Sequence, residues 1–266
     1  MKTILVINDN SNAAKHAINF AALIAQKVQA SVLLAKTVLI KEDVATALAG
    51  DTHQTFEPAG HTGFINSPGG LAQETTSLDI SEMDESQLAQ MINKLDITMV
   101  VKGELANMPA VACTPDLSTL LNKIRCPVLL VPENWPIKQI DRLVYIADLR
   151  FCRSQIVNFL AQLAEACEAT LSVAHLSAKG IPDMEENYAN KVFQKEVYDR
   201  LKYKKVHFNN IREKDLKTAV DIIINGMHND VLAFVNHRFH FEEIMGRYLT
   251  DVLPAHLNVP IMIFPY

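Results

Sequence analysis

The chain repeats itself. Ile4-Leu5-Val6-Ile7-Asn8-Asp9 lies over Leu143-Val144-Tyr145-Ile146-Ala147-Asp148 at an offset of 139 residues, and at the same offset Asn19-Phe20 lies over Asn158-Phe159 and Ala30-Ser31 over Ala169-Thr170. The far ends repeat at a slightly shorter offset. Asp96-Ile97-Thr98-Met99-Val100-Val101 matches Asp230-Val231-Leu232-Ala233-Phe234-Val235, and Cys126-Pro127-Val128-Leu129-Leu130-Val131-Pro132 matches Val259-Pro260-Ile261-Met262-Ile263-Phe264-Pro265. A period this long, drifting by six residues, reads as two copies of one unit with a few loop deletions. At 266 residues the chain accommodates two ordinary domains. The expected units are 1–132 and 137–266, joined by a linker at 133–136, where Pro132 and Pro136 break regular pairing.

The apolar pattern repeats with the residues. Ala17, Ala21, Ile24, Ala25 and Val28 follow helical spacing, and adding the offset gives Ile156, Leu160, Leu163, Ala164 and Cys167, all apolar. Short apolar runs alternating with such helices predict an α/β fold with a parallel sheet covered on both faces. In the first copy the pattern predicts strands at 3–7, 31–38, 76–80, 96–101 and 127–131, with helices near 12–28, 84–94 and 116–125. In the second it predicts strands at 141–147, 170–176, 203–208, 230–236 and 259–264, with helices near 152–167, 183–200, 214–225 and 242–257. Residues 41–75 start helically and then turn polar, with Gly60, Gly63, Gly69 and Gly70, and read as a long loop. Parallel sheets bind ligands outside the carboxyl ends of their strands, where strand order reverses. That directs attention to 8–12, 37–41 and 102–109 in the first copy, and to 147–151, 176–180 and 236–240 in the second.

Composition narrows the function. The net charge is −5, carried by residues 1–135 with 9 basic and 14 acidic side chains, while the remainder balances 16 against 16. That argues against a nucleic-acid partner. No stretch is long enough for a membrane span, and the short apolar start lacks the marks of a signal peptide, so a soluble cytoplasmic protein is expected. Cys113, Cys126, Cys152 and Cys167 show no metal-ligand or C-x-x-C spacing, and His53 and His61 have no ligand partners at metal spacing. No P-loop, G-x-S-x-G elbow, G-x-G-x-x-G or H-E-x-x-H occurs. Asp9 lacks the adjacent acid of a phosphoacceptor site, and 8–12 lacks the histidines of an adenylyl-transfer loop. No enzymatic activity is expected.

The first strand ending in Val6-Ile7-Asn8-Asp9-Asn10-Ser11 and the closing strand Cys126-Pro127-Val128-Leu129-Leu130-Val131 resemble those of universal stress proteins, twice over across nearly the whole chain. The resemblance implies two tandem Rossmann-like domains of the adenine nucleotide alpha hydrolase-like class, each a five-stranded parallel sheet flanked by helices. It also implies pairing through the last strands, within one chain as an internal pseudo-dimer or between chains as a homodimer. Nucleotide-binding relatives carry a glycine motif after the fourth strand, which lets backbone N–H groups surround phosphates. Here Gly103 matches its first glycine, Ala106 replaces the second, Thr114-Pro115 stands where the third belongs, and the second copy offers Asn236 and His237 with no glycine at the required spacing.

The implied nucleoside pocket of the first copy comprises Asp9, Val38 and Gly103. Asp9 also reads as a residue of the helix N-terminus beside Ser11. The corresponding second-copy residues are Asp148, His237 and Arg238. His237, Arg238 and His240 can hold an anion without glycines, or form a solvated loop. Lys202, Lys204, Lys205 and His207 read as an exposed sheet edge. The expected function is a non-catalytic stress-response protein that does not bind ATP by the glycine-loop mode. The alternatives are an adenine-nucleotide sensor using the first copy only, and a protein-interaction scaffold formed by the pseudo-dimer.

Overall fold

The computed structural model describes residues 2–37, 61–66, 72–104, 115–177, 180–246, 254 and 257–266. The first half contains β1 (Thr3–Asn8), α1 (Asn12–Val28), β2 (Ser31–Lys36), β3 (His61–Asn66), β4 (Ala72–Asp79), α2 (Glu85–Lys94), β5 (Met99–Glu104), α3 (Leu117–Leu121) and β6 (Val128–Pro132). The second contains β7 (Arg142–Ala147), α4 (Ser154–Cys167), β8 (Thr170–Leu176), α5 (Glu186–Glu196), β9 (Val206–Ile211), α6 (Leu216–Asp221), β10 (Val231–Val235), α7 (Phe241–Met245) and β11 (Ile261–Phe264).

The eleven strands among the described residues belong to one sheet, in the order β3-β4-β2-β1-β5-β6-β11-β10-β7-β8-β9. The neighbours within each half are parallel except the edge pair β3–β4. The halves join where β6 pairs antiparallel with β11, in the register Ile261↔Leu130, Met262↔Leu129, Ile263↔Val128. This pairing reverses the sense of one half relative to the other. Their carboxyl edges therefore face opposite rims of the sheet.

Alternation sorts each strand into two layers. Ile4, Val6, Leu129, Val131, Tyr145, Met262 and Phe264 point to the face covered by α1, α4 and α5. Leu5, Ile7, Val128, Leu130, Val144, Ile261 and Ile263 point to the face covered by α2, α3, α6 and α7. Both layers run across the junction, and α1 packs on α4, its counterpart in the repeat. The predicted stripes are buried, apart from a half-buried Val28. Helix starts follow side-chain capping. Ser11 accepts from the Ala14 N–H at 3.0 Å, Asp84 and Gln87 form a capping box, and Asp116 and Asp215 cap α3 and α6.

The structure corrects the strand count. Among the described residues the first half has six strands, not five, because the segment read as a long loop contains β3 and the first half of β4, which form an antiparallel pair with Phe64↔Glu74 and Thr62↔Thr76. In the second half β9 begins at Val206 rather than 203. Lys204 and Lys205 lie before the strand and reach the carbonyls of Tyr198 and Glu168. Helix α6 passes into a π-helical turn at Ile222–Gly226. Helix α7 stops at Gly246, whose φ of 93° favours glycine, and much of the helix expected to 257 lies outside the described residues.

Residues 133–141 connect β6 to β7, and Trp135 packs against both layers. It is the single tryptophan of the chain. Met262→Ala, at the fully buried junction, should cost about 2–4 kcal/mol. Because both layers cross the junction, Trp135 fluorescence and far-UV circular dichroism should shift to the same lowered denaturant midpoint. A Trp135 transition left at the wild-type midpoint would contradict the shared core.

Candidate functional site

Strand order reverses between β1 and β5 in the first half and between β7 and β10 in the second. Each expected site residue among the described ones sits at one of these two switch points. Asp9 follows β1, and Gly103 lies in β5 one residue beyond the Ile7↔Lys102 pair. Val38 lies outside the described residues, as do Ala106 and Thr114.

Asp9 is buried, and its Oδ1 accepts the Ser11 N–H at 2.9 Å. Asn10, at φ 64°, makes the turn, and its own N–H is held by the Asn8 side chain at 3.0 Å. Asp9 thus orders the entrance to α1, as its helix-terminus reading requires, and no cation among the described residues pairs with it. Gly103 has a packing role. A Cβ there would run into the Ala13 carbonyl and come within 2.9 Å of the Ala14 nitrogen. Only glycine lets the first turn of α1 lie directly on β5. Beyond it, Pro115 immediately precedes Asp116, the cap of α3. Burial works against the Asp116 carboxylate, but hydrogen bonds from Thr119 and the charge of buried Lys102 hold its pKa below the usual value.

In the second half, Asp148, His237 and Arg238 line one cleft of about 380 Å³, together with Arg150, Phe151 and His240. Asp148 is buried and paired. It accepts from the Arg150 N–H at 3.0 Å and from Arg150 Nε at 2.9 Å, with Nη2 closing on Oδ2. Burial raises the cost of its charge, yet the hydrogen bonds and charge of Arg150 prevail and its pKa is lowered. Behind it lies His175, a polar residue within the apolar strand β8 that the sequence reading passed over. It is fully buried. Its Nδ1 accepts the Leu149 N–H at 3.3 Å, which places the ring proton on Nε2, bonded to the Pro182 carbonyl at 3.2 Å. Nδ1 lies 3.9 Å from Asp148 Oδ1, beyond hydrogen-bond distance. His175 is a buried strut that fixes the turn after β7.

The loop after β10 is tight without glycine. His237, Phe239 and His240 all have positive φ, between 47° and 65°. Each such residue costs about 1–2 kcal/mol, offset by packing and by the bond from buried His240 Nε2 to the Leu176 carbonyl at 3.1 Å. Three of its N–H groups are committed inward: Asn236 to the Phe264 carbonyl at 2.8 Å, Arg238 to Val235 at 3.2 Å, and Phe241 to Arg238 at 3.0 Å. His237 faces Glu242 at 3.4 Å, and the Arg238 guanidinium lies 4.0 Å over the ring of Tyr266. The cationic loop is largely paired within itself.

Burial pushes the Cys126 and Cys152 thiols up to about 12 and Cys167 to about 11. None of the three is a thiolate at neutral pH, so none is a ready nucleophile. Cys113 lies outside the described residues. Among the described residues no group of three His, Cys, Asp or Glu could hold a metal ion, and no helix is long and apolar enough to cross a membrane.

Removing Arg150 leaves Asp148 buried and unpaired. Arg150→Met should lower stability at pH 7 by about 1–2 kcal/mol, the half-exposed guanidinium being partly screened. Because the native pKa of Asp148 is lowered, its contribution is present above the ordinary carboxylate pKa and is lost as the pH falls through the native value. The difference between variant and wild type should therefore shrink once the pH falls below the ordinary carboxylate range and Asp148 becomes protonated in the fold. Urea midpoints between pH 2 and 7 check this, and a difference that persists undiminished at pH 2 contradicts it.

No protein-family model and no curated protein sequence matches the chain. Solved structures do. A universal stress protein from Archaeoglobus fulgidus superposes with a TM-score of 0.59 at 11% identity, over 98% of this chain and 97% of that one. A Pseudomonas aeruginosa protein assigned to the universal stress proteins gives 0.55 at 14% identity, over 99% and 93%. A second Pseudomonas aeruginosa protein, of unknown function, gives 0.55 at 13% identity, over 99% and 92%. With its two switch points on one sheet and these three likenesses, the chain has the fold of universal stress proteins.

Proposed function

We propose that the chain is a non-catalytic, cytoplasmic stress-response protein whose second half does not hold ATP by the glycine-loop mode. The observation that carries this is the loop after β10. Three of its N–H groups bond inward, its sharp turns are made by histidine and phenylalanine in place of glycine, and Asp148 beside it is neutralised by Arg150. A phosphate chain entering there would have to break those bonds before making its own. The stress role draws on the fold likeness to universal stress proteins.

A second reading, adenine-nucleotide sensing by the first half alone, draws on Asp9. Its carboxylate has no cationic partner among the described residues, in contrast to Asp148, and it stands at the switch point beside Gly103. The tandem arrangement also supports an interaction scaffold, since β6–β11 pairing presents both halves as one body.

Calorimetric titration with ATP, ADP and AMP tests the proposal. No heat in wild type is the expected result. Binding abolished by Asp9→Ala and kept by Asp148→Ala would instead establish the first-half sensor. ATP binding kept by Asp9→Ala and lost on Asp148→Ala would overturn the proposal.

A further inference from the structure

Away from both carboxyl edges, the two halves enclose a groove of about 170 Å³. Its walls come from both repeats: Ile4 and Met99 from the amino ends of β1 and β5, Ile24 and Val28 from the last turns of α1, and Phe159 and Leu163 from α4. Lys2 and Lys27 stand at the rim, exposed, and neither has an ion-pair partner among the described residues. At the equivalent end of α4 the segment before β7 lies against the helix: Ile140 is buried and the Gln139 amide donates to the Cys167 carbonyl at 3.1 Å.

Apolar surface dominates the hollow, with Gln29, Thr98 and Gln162 as its other polar lining residues besides the two lysines. A cavity of roughly 150 Å³ with an aliphatic and aromatic lining accepts a benzene ring. The rim selects the charge of what enters. The carboxyl end of α1 contributes about half a negative charge, and the Ala25 carbonyl there is already bonded by Gln29 and Ala30. Two lysine ammonium groups outweigh it, so the mouth is net positive.

We propose that this groove binds a compact aromatic monocarboxylate, its ring between α1 and α4 and its carboxylate toward Lys2 and Lys27. Such a ligand touches both halves at once and strengthens the contact between the paired helices. Binding would thus be reported as a rise in melting temperature of the whole chain.

Sodium benzoate is the probe, with benzyl alcohol as the neutral counterpart, read by methyl resonances of Met99, Val28 and Leu163 and by thermal melting. Benzoate should shift these resonances saturably and raise the melting temperature. Ala166→Phe, which fills the groove from a half-buried position on α4, should abolish both effects. Lys27→Gln, at an exposed site with no packing role, should weaken binding about threefold. An absence of saturable shifts in wild type, unchanged binding in Ala166→Phe, or benzyl alcohol binding as tightly as benzoate would each overturn the proposal.

Discussion

The antiparallel pairing of β6 with β11 is the contact on which the rest of the architecture depends. Val128-Leu129-Leu130-Val131 and Ile261-Met262-Ile263-Phe264 are apolar on both faces and buried throughout. Each would be a hydrophobic edge strand in an isolated half, with unpaired backbone groups inviting association. Pairing them removes two edges at once and places α1 against α4. Fusion into one chain raises the effective concentration for the contact. The edges that remain belong to β3 and to β9, which is preceded by lysines.

The same pairing sets the functional geometry. Since the halves run in opposite senses, their switch points open on opposite rims, and no small ligand reaches both. Each crevice is free to diverge. Asp9 and Asp148 occupy equivalent positions, yet one orders a helix entrance with no cationic partner among the described residues and the other is locked to Arg150 two residues on. Gly103 survives where the backbone of α1 must touch β5. This packing need exists whether or not a nucleotide binds.

Much of this was legible from residue patterns, and the failures have physical causes. The repeat, the α1 and α4 stripes and the last strands were readable because burial on both faces leaves a dense apolar signal. Residues 61–75 were hard to read because β3 and its partner lie toward a sheet edge and are rich in threonine and polar residues, so neither period stands out. The placement of Asp148, His237 and Arg238 around one cleft followed from the switch-point rule. Their engagement by other partners did not, because contact with Arg150, Glu242 and Tyr266 depends on side-chain directions that spacing does not encode. His175 was missed for the same reason: one histidine in an apolar strand acquires meaning only when Leu149 and Pro182 close around it.

Amide hydrogen exchange along residues 128–131 and 261–263 tests the shared sheet most directly. The account predicts that these amides exchange only with global unfolding, as slowly as those of central strand β1. Exchange at the faster rates of edge strand β9 would contradict it.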